Sequence, residues 1–173
     1  NGCGMPKVKV RAWKRKGNYK TVIMLDGMRA QYDYSGWEIN TNIQEMVRSG
    51  VNVVEPIGGP ASFYTNWDAP SNFNNQPFRY MWNCVITNTL IKALDRRGYR
   101  VGKSRRYAIM GLSMGGNAAL TIGAENRQHC DGAGALSGYT WLSGPGMRTM
   151  IRLAMLAVAP RLSLRSLINL IMT

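Results

Sequence analysis

The sequence predicts an α/β fold with a mostly parallel central sheet and helices on both faces. Short apolar runs of strand length alternate with stretches of helix length, the pattern of a sheet buried on both sides. Ser-Gly and Gly residues sit where helical stretches must stop and turn back. With 45% hydrophobic and 18% charged residues over 173 positions, the chain also has enough apolar surface for one domain with a real core.

Residues 8–13 read as a strand by alternation, Lys7 and Lys9 facing outward against Val8 and Val10. A basic turn around Gly17 and Asn18 leads to 21–25, a short apolar run of the buried-strand kind. A loop over 26–40 is followed by a helix from about Asn42 to Arg48, closed by Ser49-Gly50, and by a buried strand over 51–55 ahead of Pro56. Residues 57–77 crowd Gly, Pro, Asn and aromatics together and read as a long surface loop suited to carrying function. A helix over 80–97, a strand over 106–110, a helix over 114–126 and a strand over 132–136 continue the alternation. From Met147 to Thr173 the chain is rich in Leu, Ile and Met, but Arg148, Arg152, Arg161 and Arg165 interrupt it. No apolar stretch reaches the roughly 20 residues of a membrane span, so no transmembrane segment is expected. A core or subunit-facing helix is the expectation there, with a basic amphipathic surface helix as the alternative.

Lys and Arg outnumber Asp and Glu by 22 to 9, a net charge of +13 that attracts anionic surfaces. The cations are spread over the N-terminal stretch, residues 96–106 and the tail, with no arginine-rich recognition helix and no interleaved aromatic motif, so no nucleic-acid partner is expected. Cys3, Cys84 and Cys130 match no metal-ligand spacing, and their odd number leaves at least one thiol unpaired in an exported protein. The chain opens on Asn without an apolar leader, as a processed product or an internal fragment would.

Gly111-Leu112-Ser113-Met114-Gly115 fits G-x-S-x-G, with a buried strand before it and a helix after it. Such a serine sits on a sharp turn where strand and helix crowd together, and Gly111, Gly115 and Gly116 supply the small neighbours this needs. The Met114 N–H, at the helix start, then faces a developing oxyanion. The plainer reading is a glycine-rich turn with a helix-capping serine. Leu25-Asp26-Gly27-Met28-Arg29-Ala30 leaves the sheet at the same carboxyl edge, where parallel sheets form ligand crevices. By position, Met28 supplies the second oxyanion N–H, with Asp26 and Arg29 as a polar rim. Their plainer roles are a turn aspartate capping local amides and a solvated arginine.

Residues 25–31 (Leu-Asp-Gly-Met-Arg-Ala-Gln), followed by 33–41 (Asp-Tyr-Ser-Gly-Trp-Glu-Ile-Asn-Thr), resemble the first signature of the antigen 85 and corynebacterial mycolyltransferases. Gly58-Gly59, residues 62–67, Tyr80 with Trp82, the elbow at 111–116 and Leu136-Ser137-Gly138 stand in that family's order at close to its spacing, from about Met5 to Leu156. The resemblance implies an α/β-hydrolase fold. It also implies an acyltransferase that moves a mycolyl group from trehalose monomycolate to a second one, or to cell-wall arabinogalactan, through an acyl-serine. By the same resemblance Ser113 is the nucleophile, Met28 and Met114 give the oxyanion N–H groups, and Asp26, Arg29 and Asn40 line the trehalose pocket. Neither metal nor organic cofactor is implied. The protein would be secreted or held in the cell envelope, with a host matrix protein as a further partner. Two alternatives stay open: a general carboxylesterase of the same fold, and a non-catalytic basic surface or matrix-binding protein.

The resemblance has a gap. In serine hydrolases of this fold the acid and the base follow the nucleophile along the chain. The single histidine, His129, is separated from Ser113 by a helix of about 12 residues, roughly 18 Å long, and Glu125 and Asp131 lie at the same far end. His129 is therefore not expected to act on Ser113. The expectation is a partial domain over 1–156, incomplete at its C-terminus, and a divergent basic and apolar tail over 157–173 of a truncated or frameshifted frame. Little turnover by this chain and an uncovered sheet edge follow from it.

Overall fold

The computed structural model describes residues 2–70, 77–99 and 106–158, with the backbone alone for 154–158. The tail over 159–173, residues 71–76 of the glycine- and asparagine-rich stretch and the basic run at 100–105 lie outside the described residues.

Five strands form one sheet in the order β1-β3-β2-β4-β5: β1 (Lys9–Trp13), β2 (Lys20–Leu25), β3 (Val51–Ile57), β4 (Tyr107–Leu112) and β5 (Cys130–Leu136). β1 runs antiparallel to β3, and every other pairing is parallel. The predicted mostly parallel sheet is present, and the antiparallel β1 lies at its edge. There Val10 is 40% exposed, so the expected alternation of buried valines against outward lysines does not hold. An edge strand has only one neighbour to bury it.

One face of the sheet carries α1 (Gly36–Asn40) and α2 (Ile43–Arg48), which bury Trp37, Ile43 and Val47 on Val22, Met24 and Val53. The other face carries α3, over 82–96, and α4 (Met114–Glu125), which close over Ile23, Leu25, Val54 and Ile109. α3 begins at Trp82–Cys84, widens to a π-helical turn over Val85–Leu90 and ends at Ile91–Arg96. The last element described is α5 (Met147–Val158).

Beyond β1, the structure departs from the sequence expectation at two places. The loop expected over 26–40 contains α1, because Ser35 and Glu38 form a reciprocal capping box that starts a helical turn. The stretch after β3, expected at the surface, is buried from Gly58 to Ser62 and at Tyr64. Gly58 and Gly59, at φ 106° and 77°, let the backbone lie against Trp82, where a Cβ on Gly59 would stand 2.7 Å from the indole. Cys3 and Cys84 form a disulfide across 81 residues, leaving Cys130 as a buried free thiol. A cross-link closing a loop of that length stabilises the fold by about 4 kcal/mol.

Candidate active site

The parallel register sets Leu25 beside Gly111, so β2 and β4 end together and their following turns meet. At the β4 end the chain reverses at Ser113, whose φ of 54° and ψ of −115° are strained for a residue with a side chain. Glycines make the turn sterically possible. A Cβ on Gly111 would fall onto the Gly115 carbonyl, and one on Gly115 would come within 2.5 Å of the Leu25 carbonyl oxygen. The Ser113 N–H donates to the Leu136 carbonyl at 2.8 Å, tying the elbow to β5. Its hydroxyl does not cap α4, which removes the reading of Ser113 as a helix-capping serine.

The turn after β2 lies against this elbow, and a Cβ on Gly27 would be 3.9 Å from that of Ser113. The Met28 carbonyl accepts the Ala61 N–H at 3.0 Å, which fixes the Met28 peptide from the buried segment after β3. Among the described residues, neither the Met28 nor the Met114 N–H has a hydrogen-bond partner. Asp26 is only 9% exposed, and its carboxylate accepts Gly27 N–H at 2.7 Å and Gly36 N–H at 2.8 Å. Its own N–H donates to the buried Tyr64 hydroxyl at 3.0 Å. Burial pushes that phenol well above its ordinary range, so it stays neutral and keeps its proton.

Two cavities adjoin at Met28 and Arg29. One, of about 440 Å³, is lined by Asp26, Arg29, Gln31, Tyr34, Gly36 and Asn40. The other, of about 330 Å³, holds Ser113 and Met114 and is walled by Phe63, Tyr139, Leu142, Met147, Met150 and Ile151. Most side chains lining the first can hydrogen-bond, whereas the second is lined mainly by apolar side chains, with Arg29, Ser113 and Tyr139 as its polar members. The profile of the putative esterase family matches residues 4–159. The chain belongs to the esterase family.

Within that family the chain is similar to the antigen 85 proteins. It is 39% identical over 140 residues to the diacylglycerol acyltransferase/mycolyltransferase Ag85C of Mycobacterium leprae, covering 80% of this chain and 41% of that protein. To Ag85B of Mycolicibacterium smegmatis it is 42% identical over 119 residues, 68% of this chain and 36% of that protein. The chain thus spans about two fifths of the length of the curated relatives it matches. Among solved structures, MPT51 (FbpC1) of Mycobacterium tuberculosis superposes with a TM-score of 0.71 at 25% identity, over 84% of this chain and 51% of that one. An S-formylglutathione hydrolase from Agrobacterium tumefaciens shares the fold at a TM-score of 0.58 and 17% identity, over 83% of this chain and 62% of that one. The expected α/β-hydrolase fold and the resemblance to antigen 85 are both borne out.

This esterase chain brings Ser113, Met28, Met114 and Arg29 to one cavity, and Asp26, Arg29 and Asn40 to its neighbour. Asn40 closes α1, and its amide donates to the Gly36 carbonyl at 2.7 Å. His129 follows α4 at the opposite end, its carbonyl accepting Tyr107 N–H at the start of β4. Among the described residues nothing hydrogen-bonds to the Ser113 hydroxyl. The sequence reading missed the apolar wall from Phe63, Tyr139 and α5. Leu, Ile and Met in the tail were visible, but nothing local to Met147 or Ile151 says that they return to Ser113.

Proposed function

We propose that this chain is the nucleophile-bearing part of an acyltransferase that takes a long-chain acyl group from a trehalose monoester, a trehalose mycolate in its natural setting, and passes it to a sugar hydroxyl. The observation that carries this reading is the meeting, at the Ser113 elbow, of a cavity lined largely by hydrogen-bonding side chains and one lined mainly by apolar side chains. An ester of a sugar and a long alkyl chain has that same division at its carbonyl carbon.

In this mechanism the Ser113 hydroxyl oxygen bonds to the acyl carbon and loses its proton. The carbonyl oxygen takes up the negative charge and accepts the Met28 and Met114 N–H groups. Collapse breaks the bond to the sugar oxygen, which leaves as the protonated alcohol, with the acyl chain on Ser113. A second sugar hydroxyl, on another trehalose monoester or on arabinogalactan, then repeats the sequence in reverse and frees the serine. Asp26 holds Gly36 and Gly27 in place, and Arg29 and Asn40 offer donors to the sugar. Without a partner for the serine proton, the oxyanion N–H groups and binding alone sustain turnover several orders of magnitude below that of a complete triad.

Export to the cell envelope agrees with the Cys3–Cys84 disulfide, a bond that persists in oxidising compartments. Among the described residues no helix is long and apolar enough to cross a membrane. The test is to incubate the chain with a trehalose monoester and follow acyl-protein by intact mass. Slow acylation, lost in Ser113→Ala and competed by free trehalose, is expected. Acylation indifferent to trehalose would favour a general carboxylesterase, and acylation surviving Ser113→Ala would remove the nucleophile.

A further inference from the structure

Glu55 is fully buried on β3, on the sheet face that carries α1. Directly across the antiparallel pairing lies Arg11, the natural counter-ion, but its guanidinium goes to Glu38 of α1 at 2.6 Å. Neither oxygen of the Glu55 carboxyl accepts a hydrogen bond from a described donor. After burial, the group that acts on it most is Glu38, itself a carboxylate. The charged groups facing it are Glu38, Asp26 at the end of β2 and Arg11 of β1, two negative and one positive. An ionised Glu55 would be a buried, unpaired charge beside two like charges, an arrangement proteins avoid by keeping the proton.

We propose that Glu55 stays protonated, donates its O–H to Glu38, and so acts as a positioning residue for α1 and the Gly36 and Asn40 wall of the polar pocket. Glu38 is the relay. One of its oxygens takes Arg11 and the other accepts the Ser35 N–H at 3.2 Å, completing the capping box that starts α1. From the other side Asp26 takes the Gly36 N–H. A helix of five residues has no stability of its own, so what grips its first turn decides where it sits. Burial first, then Glu38, pushes Glu55 up to about 8 from its ordinary 4.5, while Arg11 opposes.

The folded chain therefore holds a proton that the unfolded chain has released above about pH 4.5. Stability contributed by this proton is lost as pH rises from the unfolded to the folded value, roughly tenfold in the folding constant per pH unit, and levels off above about 8. Glu55→Gln keeps an N–H donor for Glu38 but cannot titrate. The test compares denaturant unfolding of the wild-type chain and Glu55→Gln from pH 5 to 9.5, together with the infrared band of a protonated carboxyl. The expected result is a falling wild-type curve relative to Glu55→Gln, and a neutral-carboxyl band at pH 7 that is absent from the variant and disappears from the wild type above pH 9. Parallel curves, or no such band in the wild type at pH 7, would overturn the proposal.

The consequence for ligand rests on reading that pocket as the sugar site. Trehalose affinity should weaken above pH 8 in the wild type and hold steady in Glu55→Gln. Equal pH dependence in the two would refute the positioning role. Absence of trehalose binding to either protein at any pH, with the band and the stability difference present, would remove the sugar reading and leave the shared proton standing.

Discussion

The elbow that holds Ser113 and the pocket wall that holds Asn40 lie side by side, yet different forces fix them. At the elbow, backbone meets backbone: Gly111 and Gly115 leave no room for a Cβ, and the only adjustment is to move a strand or a helix. At α1, carboxylates meet N–H groups: Asp26 holds Gly36, Glu38 holds Ser35, and Glu55 lies behind Glu38. The first arrangement is steric and indifferent to pH, as suits the atom that must be placed most exactingly. The second is electrostatic, so protons change its strength.

Substitutions that add a methyl group test this contrast most severely. Gly111→Ala should cost more than about 3 kcal/mol, or yield no folded protein, because the new carbon meets main chain that cannot yield. Gly36→Ala, whose new carbon would lie 2.9 Å from an Asp26 oxygen, should cost about 1–2 kcal/mol because a side chain has room to shift. Denaturant unfolding of both ranks them, and a larger cost at Gly36 would break the comparison. Asp26→Asn retains the shape but weakens two charge-assisted hydrogen bonds, and should cost about 2 kcal/mol. Its melting temperature above pH 6 should fall while that of a Gly27→Ala control changes less.

Ser113→Gly sharpens the elbow side. It relieves the left-handed backbone and should raise stability by about 1 kcal/mol, whereas Ser113→Ala keeps the strain and should not. Equal melting temperatures for the two would show that the elbow stores no strain. Charge alone is not what matters on the α1 side. The Lys9–Asp33 pair is 3.4 Å apart with both side chains well exposed, so Asp33→Asn should change stability by less than about 0.5 kcal/mol.

The elbow was legible because its constraint is local: five residues, a strand before and a helix after, each visible in composition. The apolar runs of β2 and β4 were legible for the same reason, as was the placing of Asp26 and Arg29 at the same sheet edge, whereas Asn40 beside them followed only from the family resemblance. The Ser35–Glu38 capping box was written in the sequence as S-x-x-E, but a helix of five residues carries too few apolar positions for periodicity to show it. What stayed hidden depends on distant partners. Cys3 meets Cys84, β1 skips β2 to pair with β3, and α5 returns to the Ser113 cavity. Glu55 closed an apolar run and gave no sign that it would be buried without a counter-ion.

The division of the site into a sugar side and an alkyl side is tested most directly by backbone amide shifts during titration with trehalose and then with a short-chain trehalose monoester. Trehalose alone should move Gly27, Gly36 and Asn40, and the monoester should add shifts at Met28, Met114, Tyr139 and Ile151. If trehalose moved the second group, or the monoester left the amides of Met28 and Met114 untouched, Ser113 would not lie at the junction and the account would be contradicted.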